Sequence, residues 1–535
     1  MKRFYLMVAL LAATTIAQAQ DTYLNDRVTA TDDVIGTARY VGMGGALGAL
    51  GADLSVMSSN PAGTGLYRKS DVAISFGAVV PTGGGWDSND ASSYGEKLAR
   101  ASFDQLGFLW SMKGSGDVMK YVNLGINYQK KANFNQGFFA DNLNLGGLSQ
   151  MDQLAELAGN NEYTYATDFN LAGLATDKYY LSQDAQGYFN PYRGASGFYT
   201  RHQKGSLQAF DINVSFNLKD RFYTGFTFGL DHVDYNSWSS YSEQNQDNGG
   251  VYGDYTLYND REIDGTGINV KFGFIFRPIE ESPLRVGLAV ETPTWYRLKN
   301  STLYDLTDQG WDPDVEAGPR NAQTQTLESY IEYVVRTPWR ARLSVGSTVG
   351  EKLAWGIEYE YANAANTKMG YPKYDDNDPN HSSLSSTKDA AMNQLTKNLM
   401  QGQHTIKAGL EYKPTSSFAL RAGYNYITSR YKDNPTFDQF STDSYAMDYA
   451  TSTDFMTLGA TNIITCGVGY KYKKFYIDLA YKYRMQDARF YAFDTSYTSG
   501  NQFSTDNPQL ANASINPVEL DLNRHQITCS LGFKF

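Results

Sequence analysis

From residue 70 to the last residue, apolar and aromatic side chains return at every second position. Leu353, Trp355, Ile357, Tyr359 and Tyr361 alternate with Lys352, Ala354, Gly356, Glu358 and Glu360. The run from Phe475 to Arg484 does the same, with Asp478, Lys482 and Arg484 on the second face, and so does Ile268 to Phe276. A period of two belongs to strands with one apolar face. Such strands also build soluble sandwiches, and the connections decide between the two. Strands are expected near 70–80, 103–112, 120–131, 208–219, 221–236, 264–277, 284–298, 337–349, 352–362, 404–413, 417–430, 459–471, 474–487 and 523–535. Short links (Lys113–Met119, Asp220, Pro278–Pro283, Gly350, Pro414–Ser416, Tyr472-Lys473) alternate with long ones such as 132–207, 363–403 and 488–522. Short turns on one side and long loops on the other are the mark of a transmembrane β-barrel. The fold class is therefore all-β, an antiparallel barrel of about fourteen strands, an even number that returns both ends to the side of the short turns.

Composition fits that architecture and little else. A mean hydropathy of −0.46 and a net charge of −11 would suit a secreted soluble protein, but 14% aromatic residues, with 41 Tyr and 49 Gly, would be unusual in a helical or α/β enzyme. A barrel reconciles them, because only every second strand residue must be apolar. Lys2 and Arg3, the apolar run Phe4–Ile16 and Ala17-Gln18-Ala19 read as a signal peptide over 1–19, with the mature chain starting at Gln20. Beyond it no stretch approaches the ~18 apolar residues of a membrane helix. The acidic balance and the lack of a basic patch argue against nucleic acid as a partner. Cys466 and Cys529 fall on the twelfth and fourteenth strands, about two ~4.8 Å spacings apart. A disulfide needs Cα atoms within about 7 Å, so unpaired thiols are expected.

The parts of an enzyme are not assembled in this pattern. His232, His404 and His525 take the lipid-facing parity, and His202 and His381 are expected in loops, which leaves no histidine on the lumen wall. No cluster has zinc spacing, and Gly42-x-Gly44 with Gly48 and Gly51 misses the dinucleotide pattern, so no cofactor and no metal is expected. A loop histidine ligating haem is a weak alternative. The lumen face carries Arg285, Glu291, Arg340, Arg342, Glu358, Glu360, Lys407, Glu411 and Arg421. A hairpin centred on Gly350 would set Arg342 opposite Glu358 and Arg340 opposite Glu360. Such pairs would brace the wall by roughly 0.2–1 kcal/mol each rather than select solutes. Helical spacing in Ser149–Gly159 (Met151, Leu154, Leu157) and in Ser386–Met400 (Met392, Leu395, Leu399) places helices in two of the long loops.

A barrel of this size has a lumen that wall side chains alone do not fill. Residues 20–69 precede the first strand and are rich in small residues; Pro61 follows an Asn60 already biased away from helix. They read as an N-terminal plug, followed by the barrel over 70–535. The stretch "ARYVGMGGALGALGADLSVMSSNPAGTGLY" resembles the N-terminal hatch of the FadL/TodX family of outer-membrane transporters for long-chain fatty acids and other hydrophobic compounds. Asn60, Pro61, Ala62 and Gly63 stand where that family closes its hatch before the first strand. The resemblance implies a fourteen-stranded barrel in the outer membrane, with outer-membrane lipid around it. It also implies passive uptake of a hydrophobic small molecule or lipid, captured outside, held in the lumen and released sideways when the hatch moves. The long polar loops depart from the family's extracellular groove. Phe535, on the lipid face of the last strand, resembles the signal read by the barrel-assembly machinery. The alternative function is a surface barrel whose loops bind a macromolecular partner or haem.

Overall fold

The computed structural model describes residues 24, 26–84, 99–158, 171–177, 194–245, 254–308, 324–373, 386–433, 452–493 and 515–535; the expected signal peptide and His381 lie outside the described residues. The described chain is one closed antiparallel sheet. The first segments are β1 (Asp71–Gly83), β2 (Arg100–Lys113), β3 (Met119–Asn133), β4 (Gln136–Asn144), β5 (Gly194–Leu218), β6 (Phe222–Asn245) and β7 (Tyr255–Phe276). Next come β8 (Arg285–Glu291), β9 (Trp295–Asp308), β10 (Thr324–Arg336), β11 (Arg340–Val349), β12 (Leu353–Asn363) and β13 (Lys368–Pro372). The last are β14 (Ser386–Lys388), β15 (Gly402–Tyr412), β16 (Phe418–Ile427), β17 (Phe455–Tyr472), β18 (Phe475–Tyr491) and β19 (Val518–Lys534). β1 closes the barrel on β19, from Asp71 opposite Lys534 to Gly83 opposite Leu522. Ser70 and Phe535 finish the seam with two backbone hydrogen bonds of 3.0 and 3.1 Å.

Fourteen strands span the barrel, as the alternation requires. Four of them come in two pieces: β3 with β4, β8 with β9, β10 with β11, and β12 with β13, while the three-residue β14 only pairs antiparallel beside β13. The expected single strands 284–298 and 337–349 are thus incorrect in detail. Pro293 and Pro338 each remove a ladder donor at the breaks. Thr292 N–H to Val270 C=O (2.9 Å) and Thr337 N–H to Thr294 C=O (3.1 Å) bridge them. β5 and β6 run for 25 and 24 residues, well past the expected 208–219 and 221–236. The supposed loop 132–207 therefore contains β4, two helices and half of β5, and His202 lies in a strand.

The helix Gln150–Ala158 is capped reciprocally: Ser149 N–H donates to Asp152 Oδ2 (2.8 Å), and Met151 N–H to Ser149 Oγ (3.0 Å). The second helix starts later than expected. It spans Ala390–Leu399, because Ser386–Lys388 pairs with β13 and Asp389, whose Oδ1 accepts Met392 N–H at 2.9 Å, is the cap. The β11–β12 turn also differs. Val349 pairs with Leu353, leaving Gly350-Glu351-Lys352 as a three-residue loop with Gly350 at φ +59°. The register moves by two from the expected one: Arg342 faces Glu360, Glu358 faces Ser344, and Arg340 faces Ala362.

The outer face carries a lipid-side band that includes Phe76, Leu124, Ile212, Phe272, Ile357, Leu420, Ile477 and Leu531, all exposed. His404 and His525 sit on this face against Tyr359 and Tyr481, each 2.7 Å from the phenol oxygen. Cys466 and Cys529 are free, and β18 separates them: Cys466 faces Tyr481, Cys529 faces Leu479.

Candidate functional site inside the barrel

Residues 34–67 pack against inward-facing side chains of the barrel wall, and the local sequence explains their course. Thr37 caps the short helix Ala38–Gly42, accepting Tyr40 N–H (3.1 Å) and donating its hydroxyl to Asp53 (2.8 Å). Asp53 in turn caps the 3₁₀ turn Leu54–Ser58. Asn60 caps the 3₁₀ turn Pro61–Leu66: its Oδ1 accepts Ala62 N–H at 3.2 Å, and its Nδ2 donates to Gly48 C=O at 2.8 Å. Pro61 sits at the first helical position, where its missing N–H costs nothing. Asn60-Pro61-Ala62-Gly63 thus ties the Gly/Ala-rich stretch to the last turn before β1. Thr64 anchors that turn to the wall, donating to Pro61 C=O (2.7 Å) and lying 2.7 and 2.8 Å from Asn213 and Ser215.

The wall meets this backbone with glycine. Gly346, Gly356, Gly409 and Gly423 stand directly opposite one another across β11, β12, β15 and β16, and Gly225 faces Gly273 across β6 and β7. A Cβ on Gly356 would lie 2.2 Å from Ala46 O, one on Gly409 2.3 Å from Met43 O, and one on Gly273 2.1 Å from Asn60 Oδ1. Only hydrogen leaves room for so close an approach.

Charges complete the seating. Arg39 reaches Glu411 (3.1 Å) and Asp53 (3.8 Å), and Glu411 also takes Arg421 (2.7 Å). Asp26 and Asp32 both pair with Arg430, at 2.5 and 2.9 Å. Asp33 pairs with Lys482 (2.5 Å) and Arg524 (3.3 Å). Burial opposes the Asp33 anion, but these two cations, with Arg484 beyond them, outweigh it and hold the carboxyl below the usual carboxylate range. Within the wall, Arg342 bonds Glu360 (2.7 Å), Glu291 (2.8 Å) and Ser59 C=O (3.2 Å). Arg340 reaches Glu360 diagonally at 2.7 Å, while Glu358 bonds Lys407 at 2.9 Å. Arg342 and Glu358 are therefore not partners; the longer turn moved them apart.

Beyond the segment, inward-facing apolar side chains pack into two clusters, with buried polar groups such as the Arg201–Asp454 pair among them. One cluster gathers Leu24 and Val28 with Phe134, Val233, Tyr235, Ile263, Tyr296, Leu298, Tyr333, Val335, Met369 and Met392. A larger one joins inward residues such as Phe138, Tyr199, Leu257, Tyr304, Phe490 and Leu522 to Met151, Leu154, Leu171, Leu395 and Leu399 of the loop helices. On the other side of the segment lies a cavity of about 300 Å³ lined by Arg39, Asp53, Tyr67, Glu411, Arg421 and Asp478.

No family model matches the chain, and no curated protein matches it by sequence. Among solved structures, a Pseudomonas aeruginosa FadL homologue is similar with a TM-score of 0.51 at 13% identity, over 94% of this chain and 98% of that one. The fold is that of the FadL homologue. The Pseudomonas putida toluene transporter TodX is similar at a TM-score of 0.49 and 13% identity, covering 94% of this chain and 99% of that one. The Ralstonia pickettii toluene transporter TbuX follows at 0.46 and 12%, over 95% and 100%.

Sequence reasoning missed two parts of this interior. The glycine row was visible as glycines on the inward parity of consecutive strands. The acids Asp26, Asp32 and Asp33 gave no local signal, because their partners lie more than 390 residues away along the chain.

Proposed function

We propose that this protein is a non-catalytic outer-membrane channel for passive uptake of hydrophobic small molecules, including fatty-acid-like ligands, gated by residues 20–69 acting as a plug. The observation that carries the reading is the pair of apolar clusters that inward-facing wall residues build around Phe134 and Phe138, with the loop helices and Leu24 and Val28 packed into them. An apolar surface desolvates a hydrophobic solute, which gains little from a water-filled pore. The charged lining of the 300 Å³ cavity on the other side disfavours straight passage of such a solute. Release sideways into the membrane avoids that cost. A ligand moves the plug only if it binds the shifted arrangement better than the seated one.

The test is deletion of 21–60 beside the double substitution Asn60→Ala/Pro61→Ala. Cells carrying each form are assayed for uptake of a labelled long-chain fatty acid and of labelled toluene, and for leakage of a small hydrophilic antibiotic. The deletion raises leakage, and the double substitution lowers specific uptake while the barrel still folds. A deletion that changes neither leakage nor uptake makes the segment a tail and favours a barrel whose loops bind a macromolecular partner.

A further inference from the structure

At the end of the short turns, the lipid face of the barrel is dented. Register sets Tyr470, Ile477, Leu531, Ile74 and Leu106 side by side in one row across β17, β18, β19, β1 and β2. In the next row towards the turns, Val72 stands between Phe533 and Phe108. Phe533 packs on Phe475 with ring centroids 4.8 Å apart, and Phe108 on Phe535 at 6.4 Å. Large rings on either side of one small valine leave a groove of about 560 Å³, which crosses the β1–β19 seam. Among the described residues no charged side chain lines it. Two lysines stand at its rim. Lys473 and Lys474 make up the whole β17–β18 turn, between the paired Tyr472 and Phe475, and both are exposed. Lys473 Nζ lies 5.3 Å over the ring of Tyr472 and Lys474 Nζ 5.8 Å over that of Phe533, and both rings line the groove. Neither lysine has an ion pair among the described residues. The acids at these strand ends turn inward, Asp71 to Lys534 (3.6 Å) and Tyr476 (3.1 Å), and Asp478 to Arg421 (2.6 Å). Lys473 also holds φ +55°, a conformation that glycine or asparagine adopts more readily. The turn itself does not call for lysine there.

We propose that this groove binds one anionic glycerophospholipid of the periplasm-facing leaflet, with an acyl chain seated in the groove and the phosphodiester held by Lys473 and Lys474. The two parts of the site do different work. An acyl chain gains little by leaving the bilayer for another apolar surface, so the groove fixes where the lipid sits rather than which lipid it is. The lysines choose the headgroup. Basic side chains at a membrane surface attract anionic lipids, whereas a zwitterionic headgroup brings its own cation up to the same two ammonium groups. The occupant touches β18 and β19 on one side of the seam and β1 and β2 on the other. A ligand that binds the closed barrel and not the unfolded chain stabilises closure. The site lies outside the bore, and the N-terminal segment takes no part in it.

Full-length protein, delipidated in dodecyl maltoside micelles, is titrated with dioleoyl phosphatidylglycerol and with dioleoyl phosphatidylcholine, and bound lipids are counted by native mass spectrometry. The first phosphatidylglycerol should bind at least about tenfold more tightly than the first phosphatidylcholine, as two surface lysines provide. Lys473→Gly/Lys474→Gln, which suits the positive φ and removes both charges, should abolish that preference with phosphatidylcholine affinity unchanged. Lys473→Arg/Lys474→Arg should keep it, and so should Lys352→Gln in the β11–β12 turn. Ile74→Trp, which fills the groove, should weaken both lipids. Phosphatidylglycerol should raise the urea midpoint of the heat-modifiable band in the parent protein and not in Lys473→Gly/Lys474→Gln. Equal affinity for the two lipids in the parent protein, or a preference that survives Lys473→Gly/Lys474→Gln, overturns the site. A dimer in the native spectrum that Ile74→Trp dissociates overturns it too, and assigns the groove to a second copy of the chain.

Discussion

Adding one methyl group to the barrel wall should unseat the N-terminal segment without harming the barrel. In Gly356→Ala the new Cβ would lie 2.2 Å from Ala46 O and 3.3 Å from Leu50 Cδ1. The contact with Ala46 O must lengthen by roughly 1 Å before repulsion ends. The wall is the stiffer partner, because Gly356 is paired on both sides, with Gly346 and Gly409. The segment must therefore move. Alanine in place of a strand glycine gains about 0.5–1 kcal/mol of backbone entropy, whereas overpacking costs about 1–3 kcal/mol. The barrel itself should hold its stability while docking of the segment weakens by about 1–2 kcal/mol, roughly a tenfold rise in the undocked fraction. Ion conductance in planar bilayers reads that fraction, and heat-modifiable electrophoretic mobility reads the barrel. Gly116→Ala, with nothing within 4 Å of the new Cβ, is the control. Conductance of Gly356→Ala equal to that of Gly116→Ala would refute the close approach of the segment to β12.

Arg342→Met removes the cation shared by Glu291 and Glu360 and the bond to Ser59 C=O; with Arg340 still on Glu360 and Lys131 near Glu291, it should cost about 1–3 kcal/mol in the barrel's unfolding. The charge swap Arg342→Glu/Glu360→Arg should recover part of that loss, whereas Arg342→Glu/Glu358→Arg should not, since Glu358 belongs to Lys407; urea titration of the heat-modifiable band separates them. Asn60→Ala should lower docking by about 1 kcal/mol for the lost cap, seen as faster proteolysis between residues 34 and 60 in intact barrels. Cys466 and Cys529 should both be alkylated without reductant once the protein is unfolded; a bridge between them would contradict the β17-β18-β19 order.

The strands were legible wherever lipid faces one side. Ile268 to Phe276 and Leu353 to Tyr361 show the alternation because water is excluded from one face only. Past the lipid band that contrast ends, and with it the signal. The outer half of β5 (Ser196–Gln203) and the run Ser237–Gln244 of β6 pair through an unbroken register, yet their sequences carry no apolar period. Pro293 and Pro338 were visible breaks, and a strand drawn through either ignored a missing donor. The β11–β12 register needed the turn length, which Gly350 alone does not specify, and a shift of two residues was enough to exchange the partners of Arg342 and Glu358 while keeping them on the same face. Asn60-Pro61-Ala62-Gly63 was legible as a turn because cap and proline act locally, whereas Asn60's second bond, to Gly48 C=O, depends on how the stretch doubles back.

What the N-terminal segment binds also fixes when it can bind. Ala38 N–H donates to Ser530 Oγ at 2.6 Å, and Asp33 pairs with Lys482 and Arg524, so its partners sit on β18 and β19, at the other end of the chain. Gly42 and Gly44 lie against Gly467, Arg421 and Asn425 of β16 and β17, whereas Pro61 and Ala62 lie against Gly225 and Gly273 of β6 and β7. These surfaces face one another only inside a closed cylinder, and closure is the pairing of β1 with β19. None of them offers the segment a complete seat before that pairing, and closing loops of more than four hundred residues has no other reward at this position. The segment therefore docks after the barrel closes, on a wall whose glycines and charges are already in place. A segment that docks last, on a wall already complete, is also the part of the structure best placed to undock while that wall stays intact.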